Sequence, residues 1–251
     1  MSALSREIEN KTVLTVISKP ISRPVFIAGK FVGLSAALAV AFYLSAIVFL
    51  FTIRHRVMET ARDELDMPVW LFGFGALALV FLIGGAANFL YRMTFSSTAV
   101  ALAVPLFTVA LLLVCLINPH WEIQSFGQDF VDGQILAATS LIFLAVLVLT
   151  AFAVAVSTRF GEIVTLVVCA GVLELGLMSD YLFGRYADQH WIADVAYRIV
   201  PNLSFFWVTD ALTQERAISA TYVLQTAGYA GCHILAALLL AVALFQRREV
   251  G

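Results

Sequence analysis

The sequence predicts an all-α fold: a polytopic membrane bundle of about six transmembrane helices behind a short amphipathic N-terminal helix. Of its 251 residues, 61% are hydrophobic and only 13% are charged, and the mean hydropathy is +0.94. A soluble domain has about 45–50% apolar and about 25% charged residues. A chain this apolar has too few polar side chains to cover a water-facing surface, so its composition indicates a bilayer as solvent.

Six apolar runs are long enough to cross a bilayer, which takes about 20 helical residues. None of them alternates with period two, so they do not read as strands of a β-barrel. Helices satisfy each backbone group within the segment, as a membrane span requires. The predicted domains are an N-terminal segment, 1–24, and a membrane domain, 25–251. The predicted spans are 30–53, 69–91, 97–118, 134–156, 162–183 and 219–245.

Charge, cysteine and motif content argue against several functions. A net charge of −2 gives no reason to expect a nucleic-acid partner. The three cysteines, Cys115, Cys169 and Cys232, fall in apolar runs without a CxxC, and no HExxH is present, so no metal site is predicted. Ser35 stands in a GLSA sequence that lacks the last glycine of GxSxG. No catalytic residue is predicted, and the chain does not read as an enzyme.

The first half of the chain has one charged, proline-broken stretch, EIENKTVLTVISKPISRPVFIAGKFVG, at residues 7 to 33. Residues 3–18 predict a surface helix with an imperfect apolar face. Pro20 disfavours helical geometry at Lys19, so this helix is expected to end there. Ser22, Arg23 and Pro24 then suit the start of a new helix, with a hydroxyl at the cap and proline in the first turn.

Beyond this break, the first membrane helix carries one cation and a row of small residues. Lys30 is placed to reach the phosphates at the inner mouth of the helix. Gly29, Gly33 and Ala37 are spaced by four and give a face suited to close helix contact. From the residues alone, the N-terminal segment is equally well explained as a membrane anchor or as a docking surface for a cytoplasmic partner.

The same stretch resembles the cytoplasmic motif of ABC-2 type transporter permeases. That motif reads Glu-x-Glu-x-x-Thr, then a proline–arginine pair, then Gly-Lys-x-x-Gly entering a membrane helix. Three later stretches are also similar to the family: STRFGE (157–162), IVPNLSFFWVTDAL (199–212) and FQRREVG (245–251). The matching positions of the first motif are Glu7, Glu9, Thr12, Lys19, Pro20, Arg23, Gly29, Lys30 and Gly33.

The resemblance implies a permease subunit that exports a substrate with ATP hydrolysed by a separate ATP-binding cassette subunit. The chain itself has no GxxxxGK[ST], so ATP is expected on the partner and no cofactor on this chain. The residues from Glu7 to Arg23 would then form a coupling helix, and a second permease subunit, identical or different, would complete a dimer. Family members place one or two helices before the motif. Because Met1 lies six residues before Glu7, the expectation is a late start or a shortened variant.

The distribution of basic residues predicts that both termini are cytoplasmic, in a multi-pass protein of the cell membrane. Nine lysines and arginines then lie inside and six outside, and both ends of the chain are basic. Arg54 and Arg56 oppose this orientation. The four tryptophans, Trp70, Trp121, Trp191 and Trp207, all fall at or beyond the outer interface, where amphipathic rings are favoured.

Two ionisable residues fall inside predicted spans. Glu174 lies midway along the fifth span and His233 near the middle of the sixth. A charge at the bilayer centre costs about 2.5–3.5 kcal/mol, and such residues often mark an ion or substrate path. An ion-coupled carrier built on Glu174 and His233 is therefore one alternative to the ABC permease. A carboxyl that only packs within the bundle is another explanation, and a membrane accessory protein without transport is a further alternative function.

The last outer loop predicts a short helix. Asp194 and Arg198 stand four apart on one face. The opposite, apolar face is formed by Trp191, Ile192, Val195, Ala196 and Ile199. This helix is interpreted either as an outer gate or as an interfacial lid.

Overall fold

The computed structural model describes residues 22–56, 65–128, 132–209 and 217–246. Within these ranges the chain is helical, and the only β-type pairing is an isolated bridge between Ile117 and Ile123. The all-α, polytopic fold predicted from the sequence is confirmed.

Eight α-helices occur in the described residues. Their bounds are α1 Arg23–His55, α2 Met67–Tyr91, α3 Phe95–Leu116, α4 Gly133–Ser157, α5 Glu162–Leu177, α6 Ser179–Leu182, α7 Trp191–Ile199 and α8 Ala220–Gln246. Short 3₁₀ turns cover Gly184–Tyr186 and Leu203–Phe206. Among the described residues, α1, α2, α3, α4 and α8 are each long and apolar enough to span a membrane. The predicted helix start at Ser22–Pro24 is confirmed, because α1 begins at Arg23.

The chain divides into two compact units, and α1 contributes to both. The first unit is Leu38–Leu136, and the second combines the chain up to Ala37 with the chain from Ala137. The core of the first unit is formed where α1, α2 and α3 pack together. Its buried residues are Ile47, Leu50, Phe51, Val69, Ala76, Ala110, Val114 and Cys115.

A buried ion pair joins three helix ends in the first unit. Arg54, in the last turn of α1, donates from Nε to Oδ2 of Asp66 at 2.8 Å. The other carboxylate oxygen of Asp66 accepts from the backbone N–H of Val69 at 3.2 Å, which caps the start of α2. The Arg54 guanidinium also donates to the carbonyls of Val114 and Ile117 at the end of α3. Both charged side chains are almost fully buried, with 2% and 6% of their surface exposed.

The loop after α3 completes the caps of that helix. The last carbonyls of a helix have no partner within it. Here the carbonyl of Cys115 accepts from the N–H of Gly127 at 3.1 Å, and that of Leu116 from the N–H of Gln124 at 2.9 Å. Together with Arg54, the loop satisfies these carbonyls without water, which permits this helix end to be buried.

Helix α4 is the central helix of the second unit. In its most apolar window 39% of the residues are buried, against 17–22% in the other candidate spans among the described residues. Leu141, Val148, Ala151 and Ala155 are completely buried. The small side chains on its second half allow neighbouring helices to approach closely.

The predicted fifth span is not one continuous helix. Helix α5 ends at Leu177, and the segment Ser179–Tyr186 turns away from it by 69°. Met178, at φ −99° and ψ 8°, lies outside helical geometry, and its N–H bonds to the carbonyls of Glu174 and Gly176. The span is broken where Gly176 meets the loop at Pro201, a contact between segments distant in sequence.

The short outer helix is confirmed as α7, Trp191–Ile199. Its apolar residues Trp191 and Ile192 are 77% and 64% exposed in the chain. The predicted pair also forms, because Arg198 Nε lies 2.9 Å from Asp194 Oδ1. Since α7 packs few of its apolar side chains against the protein, that face is free to contact lipid or a partner chain.

Candidate functional site

Most of the predicted coupling residues lie outside the described part of the chain. Glu7, Glu9, Thr12, Lys19 and Pro20 fall in residues 1–21, so the predicted surface helix stays a prediction. The structure begins just before Arg23, which is exposed at the first position of α1.

The start of α1 packs tightly within the second unit. Ile27 is 1% exposed, and the Phe26 ring stacks on Phe245 with centroids 5.7 Å apart. Lys30 Nζ lies 5.0 Å from the centre of the Phe26 ring, a cation–π contact. The lysine predicted at the inner mouth therefore also stabilises the packing of the first helical turns.

Three helices meet around Ile27. The buried residues of this mouth cluster come from the start of α1 and from the ends of α4 and α8, and they are Ile27, Val154, Ala155, Ala241 and Phe245. Thr158 follows at the end of α4 and is also buried, with its hydroxyl donating to the carbonyl of Ala155 at 2.7 Å. A displacement of the start of α1 would thus be transmitted directly to α4 and α8, because close-packed cores transmit strain.

The small-residue face predicted on α1 is open. A Cβ atom added at Gly29 or Gly33 would meet nothing within 4 Å among the described residues. Both glycines are exposed, as is Ala37. In the described part of the chain, this face is therefore available for a helix from another chain.

The two intramembrane ionisable residues are not joined to each other in the described residues. Glu174 is exposed one turn before the end of α5. His233 Nδ1 lies 3.2 Å from the carbonyl of Tyr229, and its ring packs against the Tyr229 ring at 4.4 Å. The structure thus places Glu174 next to the helix break and His233 against an aromatic side chain in α8.

A polar network centred on Asp180 lies just beyond the break. Asp180 Oδ1 accepts from the hydroxyl of Tyr197 and from the side-chain amide of Asn202, each at 2.7 Å. The hydroxyl of Ser204 lies 3.0 Å from Oδ2 of Asp180. Asn202 is 1% exposed, and its backbone N–H donates to the Tyr229 hydroxyl at 2.6 Å. The carboxylate therefore holds α7 and the following 3₁₀ turn beside the break.

Sequence reasoning missed this Asp180 network. Its members come from separate segments, and no spacing motif links them. The polar residues Asp180 and Asn202, at the edges of apolar runs, were the available signal. The network has one electrostatic consequence outside the spans: the hydrogen bond to Asp180 raises the pKa of Tyr197, because a nearby carboxylate disfavours the phenolate.

The first half of the chain matches a known family. The model described as "ABC-2 family transporter protein" matches residues 1–118. Over those residues the chain is similar to ABC-2 family transporter proteins. The resemblance predicted from the opening motif is confirmed by this match. No curated protein and no solved structure matches the chain.

The match covers the opening segment of the chain and helices α1, α2 and α3. It thus includes every predicted coupling residue and the start of the mouth cluster. Together with the five or six candidate spans in the described residues, it supports a multi-pass membrane protein whose first half is similar to a transport family. The broken α5 and the Asp180 network lie beyond the matched residues.

Proposed function

We propose that this chain is an ABC-2 type permease, the membrane subunit of an exporter powered by ATP hydrolysis on a separate ATP-binding cassette subunit. One observation carries the proposal: the family match begins with the opening segment and continues through the first three helices. No ATP or other cofactor is assigned to this chain, and its substrate is expected to cross the bundle by alternating access.

Residues from Glu7 to Arg23 would dock on the ATPase, and the mouth cluster would receive the motion. This role is supported by the way α1 begins. Its first turns are packed by Ile27 and Phe26 rather than loosely attached. A tilt of the N-terminal segment would therefore move α4 and α8 together with α1.

A second permease subunit, identical or different, is part of the proposal. Two ATPase subunits acting together need two membrane partners. The open face of Gly29, Gly33 and Ala37 supports such a contact, because small residues let helix backbones approach closely in a bilayer.

We propose that the chain lies in the cell membrane with both of its termini in the cytoplasm. Arg54 and Arg56 oppose this orientation. The ion pair of Arg54 with Asp66 does not remove that objection, because acidic residues count little in the positive-inside bias. The support for the orientation is the basic character of both ends of the chain.

Glu9→Lys is expected to weaken association with the ATPase at least tenfold while leaving membrane insertion intact. The substitution places a cation in the predicted docking face. The test is affinity purification from native membranes in mild detergent, with quantification of the co-purified protein that carries a GxxxxGK[ST] sequence. Asp188→Lys is the matched control, because Asp188 is exposed in the last outer loop. Recovery of the intact wild-type chain without any ATPase would contradict the proposal.

An ion-coupled carrier is the second candidate function. One observation favours it: Glu174 lies beside a broken span, and broken helices form ion sites in such carriers. In liposomes containing the chain alone and a pH-sensitive dye, this function predicts proton flux when a membrane potential is imposed.

Glu174→Gln separates the two functions. If the chain is an ion-coupled carrier, this variant is expected to lose at least nine-tenths of the flux, while Asp188→Asn keeps it. The amide removes the titratable group at similar size. The exporter, and not the carrier, is supported if neither the wild-type chain nor Glu174→Gln gives proton flux and the wild-type chain co-purifies with an ATPase.

A further inference from the structure

The first unit carries a continuous apolar groove on its surface. Two adjoining cavities of about 500 and 430 Å³ lie between α1, α2 and α3. Both are lined by Val48, Leu77 and Phe107, so the two form one groove. The volumes fall in the range of about 300–1,000 Å³ that is typical of small-molecule sites.

The length of the groove matches one leaflet of a bilayer. On α1 its lining runs from Leu44 to His55, and on α2 from Val69 to Phe81. The two stretches advance by eleven and twelve residues, which is about 16 to 18 Å at 1.5 Å per residue. Half of a hydrocarbon core of about 30 Å is about 15 Å. The groove therefore extends from the membrane interface to about the midplane.

The ionisable side chains of this lining gather at its interface end, whereas the hydroxyls of Ser45 and Thr52 donate to carbonyls within α1. Trp70 Nε1 donates to Nε2 of His55 at 2.6 Å, and His55 Nδ1 lies 3.2 Å from the carbonyl of Arg56. The guanidinium at this end of the groove belongs to Arg56.

Arg56 differs from its neighbour Arg54 in what it binds. Arg54 is buried and held by Asp66. Arg56 is exposed at φ 59°, lines the groove, and has no acidic partner in the described part of the chain. A guanidinium at a membrane interface binds phosphate oxygens well, because its N–H groups match their geometry.

We propose that this groove binds one acyl chain of an anionic phospholipid, with the phosphate at Arg56. The apolar lining accepts the chain over one leaflet, and the single cation selects an anionic headgroup. The groove residues belong to the first unit and include none of the mouth cluster. The proposal does not depend on whether the chain is an exporter.

The test uses Trp70 as a reporter at the mouth of the groove. The full chain with Trp121, Trp191 and Trp207 replaced by phenylalanine is purified in detergent and titrated with phospholipids whose acyl chains carry bromine, which quenches indole fluorescence. We expect saturable quenching, with phosphatidylglycerol binding about fivefold more tightly than phosphatidylcholine, the factor that one basic residue contributes near anionic lipid.

Two variants decide the assignment. Arg56→Gln is expected to abolish the preference for phosphatidylglycerol while leaving the chain-dependent quenching. Val48→Phe fills the groove, since Val48 lines both cavities, and is expected to weaken binding of both lipids. Leu82→Phe is the matched control, because Leu82 is 68% exposed on α2 and does not line the groove.

Equal quenching by the two lipids, or a preference that survives Arg56→Gln, would overturn the proposal. Quenching unaffected by Val48→Phe would do the same, because it would indicate general contact with lipid. If the triple tryptophan variant does not fold, the signal of Trp70 is obtained as the difference between the wild-type chain and Trp70→Phe, with the same expected outcomes.

Discussion

Replacing Asp66 with alanine is expected to destabilise the protein by about 3–5 kcal/mol, because it leaves the buried charge of Arg54 without its counter-ion. The Arg54 side chain is only 2% exposed and has no route to water in this arrangement. The same substitution removes the carboxylate oxygen that accepts from the N–H of Val69 and caps the start of α2. Both effects act on the region where α1, α2 and α3 end, so the whole first unit is expected to loosen.

The measurement is unfolding in mixed micelles of rising SDS content, followed by tryptophan fluorescence. Arg54→Met combined with Asp66→Leu is expected to recover part of the loss, since it removes both charges together. Asp194→Ala is the control: it breaks an exposed pair, with 76% of Arg198 accessible, and such pairs contribute at most about 1 kcal/mol. A loss for Asp66→Ala no larger than that of the control would refute the structural role of the buried pair.

Gly176→Ala is expected to destabilise the second unit by about 1–3 kcal/mol, because one methyl group is forced into a filled space. The added Cβ would stand 2.7 Å from both the side chain of Leu203 and the carbonyl oxygen of Pro201. Leu203 is only 2% exposed and packs in a core cluster, and the carbonyl of Pro201 precedes Asn202, which the Asp180 network holds. The end of α5 is therefore expected to move away from the Asp180 network.

Gly171→Ala provides a matched comparison in the same helix. A Cβ at Gly171 meets nothing within 4 Å in the described residues. Alanine there is expected to be neutral or to stabilise by about 0.5–1 kcal/mol, because it lowers the backbone entropy lost in forming a helix. The readout is the thermal midpoint of each purified variant in the same detergent. If both alanine variants lower the midpoint equally, crowding at Gly176 is not the cause.

The positions of the spans were predictable from the sequence because the hydrophobic signal is local. A run of about 20 apolar residues forms a helix in lipid whatever its neighbours are. The predicted run 69–91 corresponds to α2, Met67–Tyr91, and the run 134–156 to α4, Gly133–Ser157. The short helix α7 was also predictable, since its apolar residues recur with helical spacing.

The break in the fifth span and the pairing of Arg54 depend on contacts between distant segments. Gly176 meets Pro201, and Arg54 meets carbonyls near Val114, and neither pair has a local signature. Because the pairing of Arg54 has no local signature, the sequence alone indicated a charge in the loop after the first span. The functions of Glu174 and His233, and of the segment from Glu7 to Arg23, stay predictions, because no contact in the described residues bears on them.

The break after Leu177 has a consequence for the surrounding lipid. Helix α5 has 16 residues, so its length is about 24 Å at 1.5 Å per residue. The hydrocarbon core of a bilayer is about 30 Å thick. A helix that is too short is accommodated by local thinning of the bilayer. We therefore expect the membrane to be compressed beside α5, so that the carboxylate of Asp180 meets water at a depth where undisturbed lipid would be dry.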